Sequence, residues 1–421
     1  MYCLNEKERE AAFGRLSEEL SSRGFNGAAL SESMRNYLGI YKKEILAWAA
    51  SLFDPASGGF YFSISGRDNP GFGADVESTS QALNILFASG AVRDADCLPR
   101  ALREKIASFV CSLQSDSDGY FYHRQWGSKV TPSRRARDLG WAVGLSKRLG
   151  FTLPYATAYE RLNDSKKDNS SAKAEGQPEH FKSEAAYLKY LAALPFGESG
   201  TRGAYGAANT VAADARLIEA AGYTDAVVGY LNRIQGENGL WGPDEGYMLN
   251  NAFMKVSCLY DTVKRPLPRA SLAAESIMEL LATDEVPRTV CYHYNVWFSL
   301  LNIVANLRRF GGAEGRAEAD GIVKSILSRL ADLLSATAEK NLLFRKSDGS
   351  FSCLIGSTTY ISQGMPVAVE GTDEGDFNAT NICSVGTAVR INALLGIPDE
   401  KSVPIFTAED FRNYFIPNLR L

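Results

Sequence analysis

Residues 52–62 read "LFDPASGGFYF" and residues 113–123 read "LQSDSDGYFYH". Both leave an apolar run, cross small polar residues, and reach glycine followed by aromatics. The same order returns as "IQGENGLWGPD" at 234–244 and as "FRKSDGSFSCL" at 344–354. Aligned on Gly59, Gly119, Gly239 and Gly349, the copies stand 60, 120 and 110 residues apart. Those intervals are one, two and two units of about 55–60 residues, the signature of an internal repeat. Two weaker copies fill the gaps. They are "SGTRGAYGAANTVAADARL" at 199–217 and "VPRTVCYHYNVWFSLLNIV" at 286–304, the second without its glycine.

Each unit has room for two helices. "MRNYLGIYKKEILAWAASLF" (34–53) places apolar residues at three- and four-residue steps, which predicts a helix. The glycine turn ends it, and Pro55 cannot continue it. "VESTSQALNILFASG" then predicts a second helix closed by Gly90. The order recurs in "LGWAVGLSKRLG" (139–150), "NNAFMKVSCLYD" (250–261), "VWFSLLNIVANLRRFGG" (296–312) and "NATNICSVGTAVRINALLG" (378–396). Strand-like alternation is scarce, so the fold class is all-α. Loops of unequal length argue against an open solenoid of regular repeats. The expectation is a single domain over 1–421, an (α/α)6 toroid or barrel of about six helical hairpins. Its repeat core runs over about 35–396, with a polar insertion at 163–181.

Composition narrows the partners. The 421 residues are 45% hydrophobic and carry a net charge of −4. A sizeable core is affordable, and disorder is excluded. "SRRAR" at 133–137 is the longest basic run and meets Asp138 at once, so no nucleic acid partner is expected. The opening "MYCLNEKEREAAFGRL" lacks the basic-then-apolar order of a signal peptide. No apolar run approaches the roughly 18–20 residues of an integral membrane segment. Seven scattered cysteines without a CxxC pair read as reduced thiols in a cytoplasmic protein.

"LQSDSDGYF" and "IQGENGLW" resemble the repeat of squalene–hopene cyclases and related terpenoid cyclases. "GGFYFS…ADVESTSQALNIL" resembles the repeat of protein prenyltransferase β subunits. The likeness covers four clear units and two degenerate ones and implies the α/α toroid that both families share. It carries no catalytic residue across. The Asp-x-Asp-Asp acid motif of the cyclases is missing, "DADC" at 94–97 being the nearest string. The zinc set of the prenyltransferases is not matched by the three histidines, 123, 180 and 293.

In such a ring the second helices run parallel, and their N-terminal ends gather at one mouth. The residues expected there are Asp75 and Glu77, then Arg137 and Asp138, then Asn209 and Asp214. Asp244, Glu245, Tyr247, Asn250 and Asn251 follow, then Tyr292, His293 and Asn295, and lastly Glu370, Asp376 and Asn378. One Asp or Asn per helix is explained by capping alone. The paired carboxylates and His293 exceed that need, and acids crowded around a cavity shift one another's pKa values. Asp75, Glu77, Asp376 and His293 are therefore the candidate catalytic residues.

Candidate substrate contacts are Asp138, Trp141, Trp241, Asn250, Tyr292, Asn295, Trp297, Tyr360, Gln363 and Asn378. The repeat aromatics Phe60, Phe121, Trp241 and Phe351 read first as packing, whereas Trp141 and Trp297 suit a cavity wall. The Gly-, Ser- and Thr-rich stretch 356–381 suits a lid.

Three functions fit this pattern. One is a terpenoid-cyclase- or prenyltransferase-like enzyme using acid–base chemistry on a small substrate. The second is a carbohydrate-active lyase or hydrolase for uronate-type oligosaccharides, with "HYN" (293–295) supplying the residue kinds such lyases use. The third is a non-catalytic ligand-binding toroid. No nucleotide or metal motif is present, so no cofactor is expected, although Mg²⁺ needs little more than clustered Asp and Asn.

Overall fold

Gly58, Gly119, Gly239 and Gly349 all have positive φ, between +74° and +90°. These angles are strained for any residue with a Cβ. In the first copy Gly58 N–H donates to Asp54 O, Asp54 N–H to Gly59 O, and Tyr61 N–H to Leu52 O. The second copy repeats this as Gly119 to Ser115, Ser115 to Tyr120, and Tyr122 to Leu113. The copies therefore register on Gly58 and not on Gly59, which corrects the alignment by one residue. The Gly58–Gly59 doublet hides which glycine carries the left-handed conformation. With this register an aromatic falls two residues after every glycine. Phe60, Phe121, Trp241 and Phe351 are all fully buried.

The computed structural model describes residues 5–161, 179–397 and 402–421. Most of the polar insertion at 163–181 lies outside the described residues; its end, Glu179–Phe181, is a single 3₁₀ turn. Helix makes up 62% of the described residues and strand 3%, so the fold is all-α. The strand pair Ile361–Ser362 with Met365–Pro366 is antiparallel.

The predicted helix over 34–53 is instead two, Gly27–Leu38 and Glu44–Ser51. Gly39 is a poor helix former. The break turns Tyr41 inward, where its hydroxyl contacts Tyr37 and the carbonyl of Cys383.

The second helices of the pairs are Val76–Ala88, Pro132–Leu149, Ala204–Ala221, Gly246–Thr262 and Val290–Phe310. The last is Phe377–Thr380, continued by a π turn, Asn381–Gly386, and by Thr387–Leu394. Val76–Ala88 packs on Pro132–Leu149, Ala204–Ala221 on Gly246–Thr262, and Gly246–Thr262 on Val290–Phe310. Val290–Phe310 then packs on Thr387–Leu394, and Phe377–Thr380 packs back on Val76–Ala88.

The glycine turns link each pair to the next. A Cβ on Gly58 would collide with the Lys105 backbone in the Arg100–Leu113 helix. One on Gly119 would strike the backbone at Ala156–Ala158, and one on Gly239 that of Ala273 in Ala270–Ala282. At Gly349 it would sit 3.3 Å from Ile45 N, in the first pair's Glu44–Ser51 helix.

Burial joins these elements into one apolar core containing Trp241, Trp297 and the turn aromatics. A small second cluster of Phe62, Trp126, Met365, Val367 and Ala368 seats the 356–376 segment against the first two pairs. Among the described residues no helix is long and apolar enough to cross a membrane.

Candidate active site

The Asp75 side chain accepts from Ser78 N–H at 2.8 Å and from Ser78 Oγ at 2.7 Å, which makes it the N-cap of Val76–Ala88. That satisfies an orphan helix donor. The next pair supplies a cation: Arg134 Nη2 donates to Asp75 at 2.9 Å. Arg134 is 1% exposed. Its Nε donates to Asp138 Oδ2 at 3.0 Å, and its Nη1 lies 3.3 Å from Glu77 Oε2. The Trp126 ring stacks 4.5 Å from the guanidinium carbon. Burial by itself would lower the Arg134 pKa; the charges of Asp75, Asp138 and Glu77 outweigh it and hold the group firmly protonated.

Unlike Asp75, which accepts from Ser78 N–H, Glu77 is met by side chains alone. Its carboxylate meets Arg137 Nη2 at 2.6 Å, Gln81 Nε2 at 3.2 Å and Ser362 Oγ at 3.3 Å. Burial raises its pKa, Arg137 and Arg134 pull it down, and Asp75 adds to the rise. The Arg137 side chain is 37% exposed, so one partner of the buried acid reaches solvent. Arg137 also stands 5.9 Å from the half-buried Trp141 ring. Gln81 bonds Asn378 Oδ1 at 3.2 Å, drawing in the last repeat.

His123 completes the cluster. It is buried, and its Nε2 stands 3.3 Å from Asp138 Oδ2, off the hydrogen-bonding direction. The remaining Asp138 oxygen has no partner. Asp75, Glu77 and Asp138 thus face the guanidiniums of Arg134 and Arg137. His123 also lines a cleft of about 430 Å³ between the first glycine turn and the Arg100–Leu113 helix.

The 356–376 segment docks on this cluster. Gln363, at φ +53°, occupies the tip of the strand pair. Thr131 Oγ1 donates to the Gln363 carbonyl at 2.6 Å, and Ser133 Oγ to its side-chain oxygen at 2.5 Å. Trp126 Nε1 and Gln125 Nε2 both donate to Pro366 O. Tyr360 points to solvent and interacts with Glu370 instead.

The other candidates lie elsewhere. Asp376 caps the last inner helix, accepting from Ala379 N–H at 2.7 Å, Thr358 Oγ1 at 2.8 Å and Cys353 N–H at 3.2 Å. Burial drives its pKa up to about 6 against those donors. His293 is fully buried, and burial lowers its pKa to about 3, so it is neutral. Its Nδ1 meets Tyr247 Oη at 3.4 Å, and the backbone of Thr337 in the Leu330–Leu342 helix lies beside it. Trp297, one turn on, donates to Thr337 Oγ1 at 3.0 Å. Both therefore face the Leu330–Leu342 helix.

Trp241 donates to Leu231 O and stacks on Phe253 in the core. Asp214 accepts from Tyr187, and Asp244 from Gly200 N–H. Glu245 precedes the Gly246–Thr262 helix without a side-chain cap, and Asn209 is exposed. Asn295 donates to Asn251 Oδ1 at 2.9 Å; Asn250 is buried with neither amide atom partnered. Tyr292 is half-buried near Tyr205.

The sequence reading had no role for Arg134, His123, Trp126 or Gln81. Arg134 and Asp138 stand four apart, as do Arg137 and Trp141, and that spacing within "SRRARDLGW" is the signal that one helix presents both cations. Nothing in the sequence joins His123 to them. Among the described residues no three His, Cys, Asp or Glu side chains gather to hold a metal ion. In comparisons with family models, with curated proteins and with solved structures, no match to this chain was found.

Proposed function

We propose that the helical pairs close into an (α/α)6 toroid and that the chain is an enzyme working by acid–base chemistry on a small polar substrate. Two observations support closure: the last glycine turn lies against the first outer helix, and Phe377–Thr380 packs on Val76–Ala88. The likeness to terpenoid cyclase and prenyltransferase repeats supports the same architecture.

Glu77 is the proton-transferring group in this reading. The observation that carries it is a buried carboxylate with a raised pKa whose partner Arg137 is open to solvent. An anionic substrate group that engages Arg137 weakens its hold on Glu77. The Glu77 pKa then rises further, which readies it to take a proton. Trp141 beside Arg137 offers a flat face, and Gln81 and Asn378 offer amides for hydroxyl groups. Asp75 and Asp376 are committed to helix caps, and His293 takes no part.

The substrate class favoured is carbohydrate of the uronate type and not an isoprenoid. Stabilising a carbocation calls for an apolar aromatic wall, whereas Gln81, Asn295, Asn302 and Asn378 are polar groups on the inner helices. Turnover of uronate-containing oligosaccharides and of isoprenoid diphosphates by the wild-type chain and Glu77→Gln tests the reading. Glu77→Gln is expected to lose at least about a hundredfold in kcat with the melting temperature nearly kept. Undiminished turnover in Glu77→Gln, or turnover of isoprenoids alone, would overturn it.

A further inference from the structure

Arg134 and Arg137 are matched by acids, but Arg390 is not. It stands on the last inner helix, Thr387–Leu394, which packs on Val290–Phe310. Its guanidinium carbon lies 4.3 Å from the Tyr294 ring centre and 4.7 Å from that of Phe298. Nη1 donates to Gly386 O at 3.1 Å, and Nε is buried with no hydrogen-bond partner. Among the described residues no carboxylate pairs with it. Burial lowers its pKa, and Tyr294 is the one charge interaction opposing that. A cation kept in such a place without an anion is costly to fold around.

The surroundings extend this into a surface. Val290–Phe310 buries His293, Trp297, Leu300, Val304 and Leu307. Tyr294, Asn295, Phe298 and Asn302 are half-buried and form the opposite stripe at helical spacing. Asn302 Nδ2 donates to Ser257 Oγ at 3.1 Å and contacts Cys258 Sγ at 3.7 Å. Cys258 lies within the field of Lys255, a second half-buried cation. Lys255 also has no carboxylate partner among the described residues. One run of neighbours thus links Arg390, Phe298, Asn302, Cys258 and Lys255 across three helices.

We propose that this stripe is an anion-binding site, with Arg390 and Lys255 receiving a carboxylate or phosphate group of a small ligand and Asn302 beside them. The rings of Tyr294 and Phe298 hold the guanidinium plane, Gly386 O holds Nη1, and Nη2 is left for the anion. The site is distinct from the Glu77 cluster; it rests on the toroid reading only in placing the stripe on the cavity.

Calorimetric titration of the full chain with pyrophosphate, glucuronate and neutral glucose tests the proposal. At least one anion is expected to bind at millimolar concentration or tighter, with glucose silent. Preference for pyrophosphate or for glucuronate identifies a phosphate or a carboxylate ligand. Arg390→Gln is expected to weaken binding at least about tenfold, and Lys255→Gln severalfold. Arg137→Gln, which removes the cation of the proposed catalytic cluster, should leave the Arg390-dependent binding within about twofold, which separates the two sites. If Arg390→Gln does not fold, Lys255→Gln and the charge-keeping Arg390→Lys decide. Absence of anion binding would overturn the proposal. So would binding that is untouched by these changes but lost in Arg137→Gln.

Discussion

The first and last repeats are built alike up to one residue. In each, the N–H of the turn aromatic, Phe60 or Phe351, donates at 3.0 Å to a threonine hydroxyl, Thr79 or Thr380. In each, an aspartate four residues before that threonine caps the inner helix, and its own N–H donates to the aromatic's carbonyl. These two copies therefore share Asp-x-x-x-Thr as well as Gly-x-aromatic. Two residues after each aspartate comes Glu77 in the first copy and Asn378 in the last, and both bond Gln81. The cap is architecture. The residue two positions on is where the copies diverge, and Glu77 there is the acid of the proposed chemistry.

The two caps also differ in partner. Asp75 is matched by the buried Arg134; Asp376 has only neutral donors. Removing Arg134 breaks the first arrangement most severely. Arg134→Ala leaves three carboxylates buried beside one another and should cost about 3–5 kcal/mol or more in a denaturant titration. A loss below about 1 kcal/mol would mean that the cluster is not buried in solution.

Asp376 should show its isolation through pH. Its folded pKa of about 6 lies above the roughly 3.9 of an unfolded aspartate. The folded state therefore holds the proton more tightly. The resulting stability is full below about pH 4 and is lost as pH rises toward about 6, on the order of 3 kcal/mol in all. Asp376→Asn should flatten that part of the stability–pH curve relative to wild type. Parallel curves for the two proteins from pH 4 to 7 would refute the assignment.

The glycine turns offer a smaller contrast. A Cβ at Gly58 runs into the Lys105 backbone, whereas at Gly349 it stays 3.3 Å from Ile45 N. Both positions have left-handed φ and share that strain, roughly 1–2 kcal/mol for alanine. Gly58→Ala should therefore exceed Gly349→Ala by about 1–2 kcal/mol. Equal midpoints in urea would mean that the first turn can move away from its neighbour.

Much of the fold was legible. Glycine, aromatic and helical periodicity recur along the chain, so the all-α class and the helical pairs followed from local pattern. Boundaries slipped where local signals tie. The Gly58–Gly59 doublet concealed the register, and an apolar run bridging Gly39 concealed a break. The site was legible in part. Asp75 and Glu77 stood out as a pair, and the expectation that one of them is a cap agrees with the Ser78 contacts. His293 drew attention by its residue type, yet helical phase turns it toward Thr337.

Sequence by itself determined which residues cap, turn and pack, because those roles depend on neighbours three to five positions away. Only the tertiary structure decided which charges meet. Arg134 reaches Asp75 across 59 positions, and Gln81 reaches Asn378 across 297. Such pairings depend on how helices far apart in the chain pack together, and no local pattern encodes that distance. For the same reason nothing in the sequence singles out Arg390, whose neighbours are two aromatic rings with no acid pairing it among the described residues.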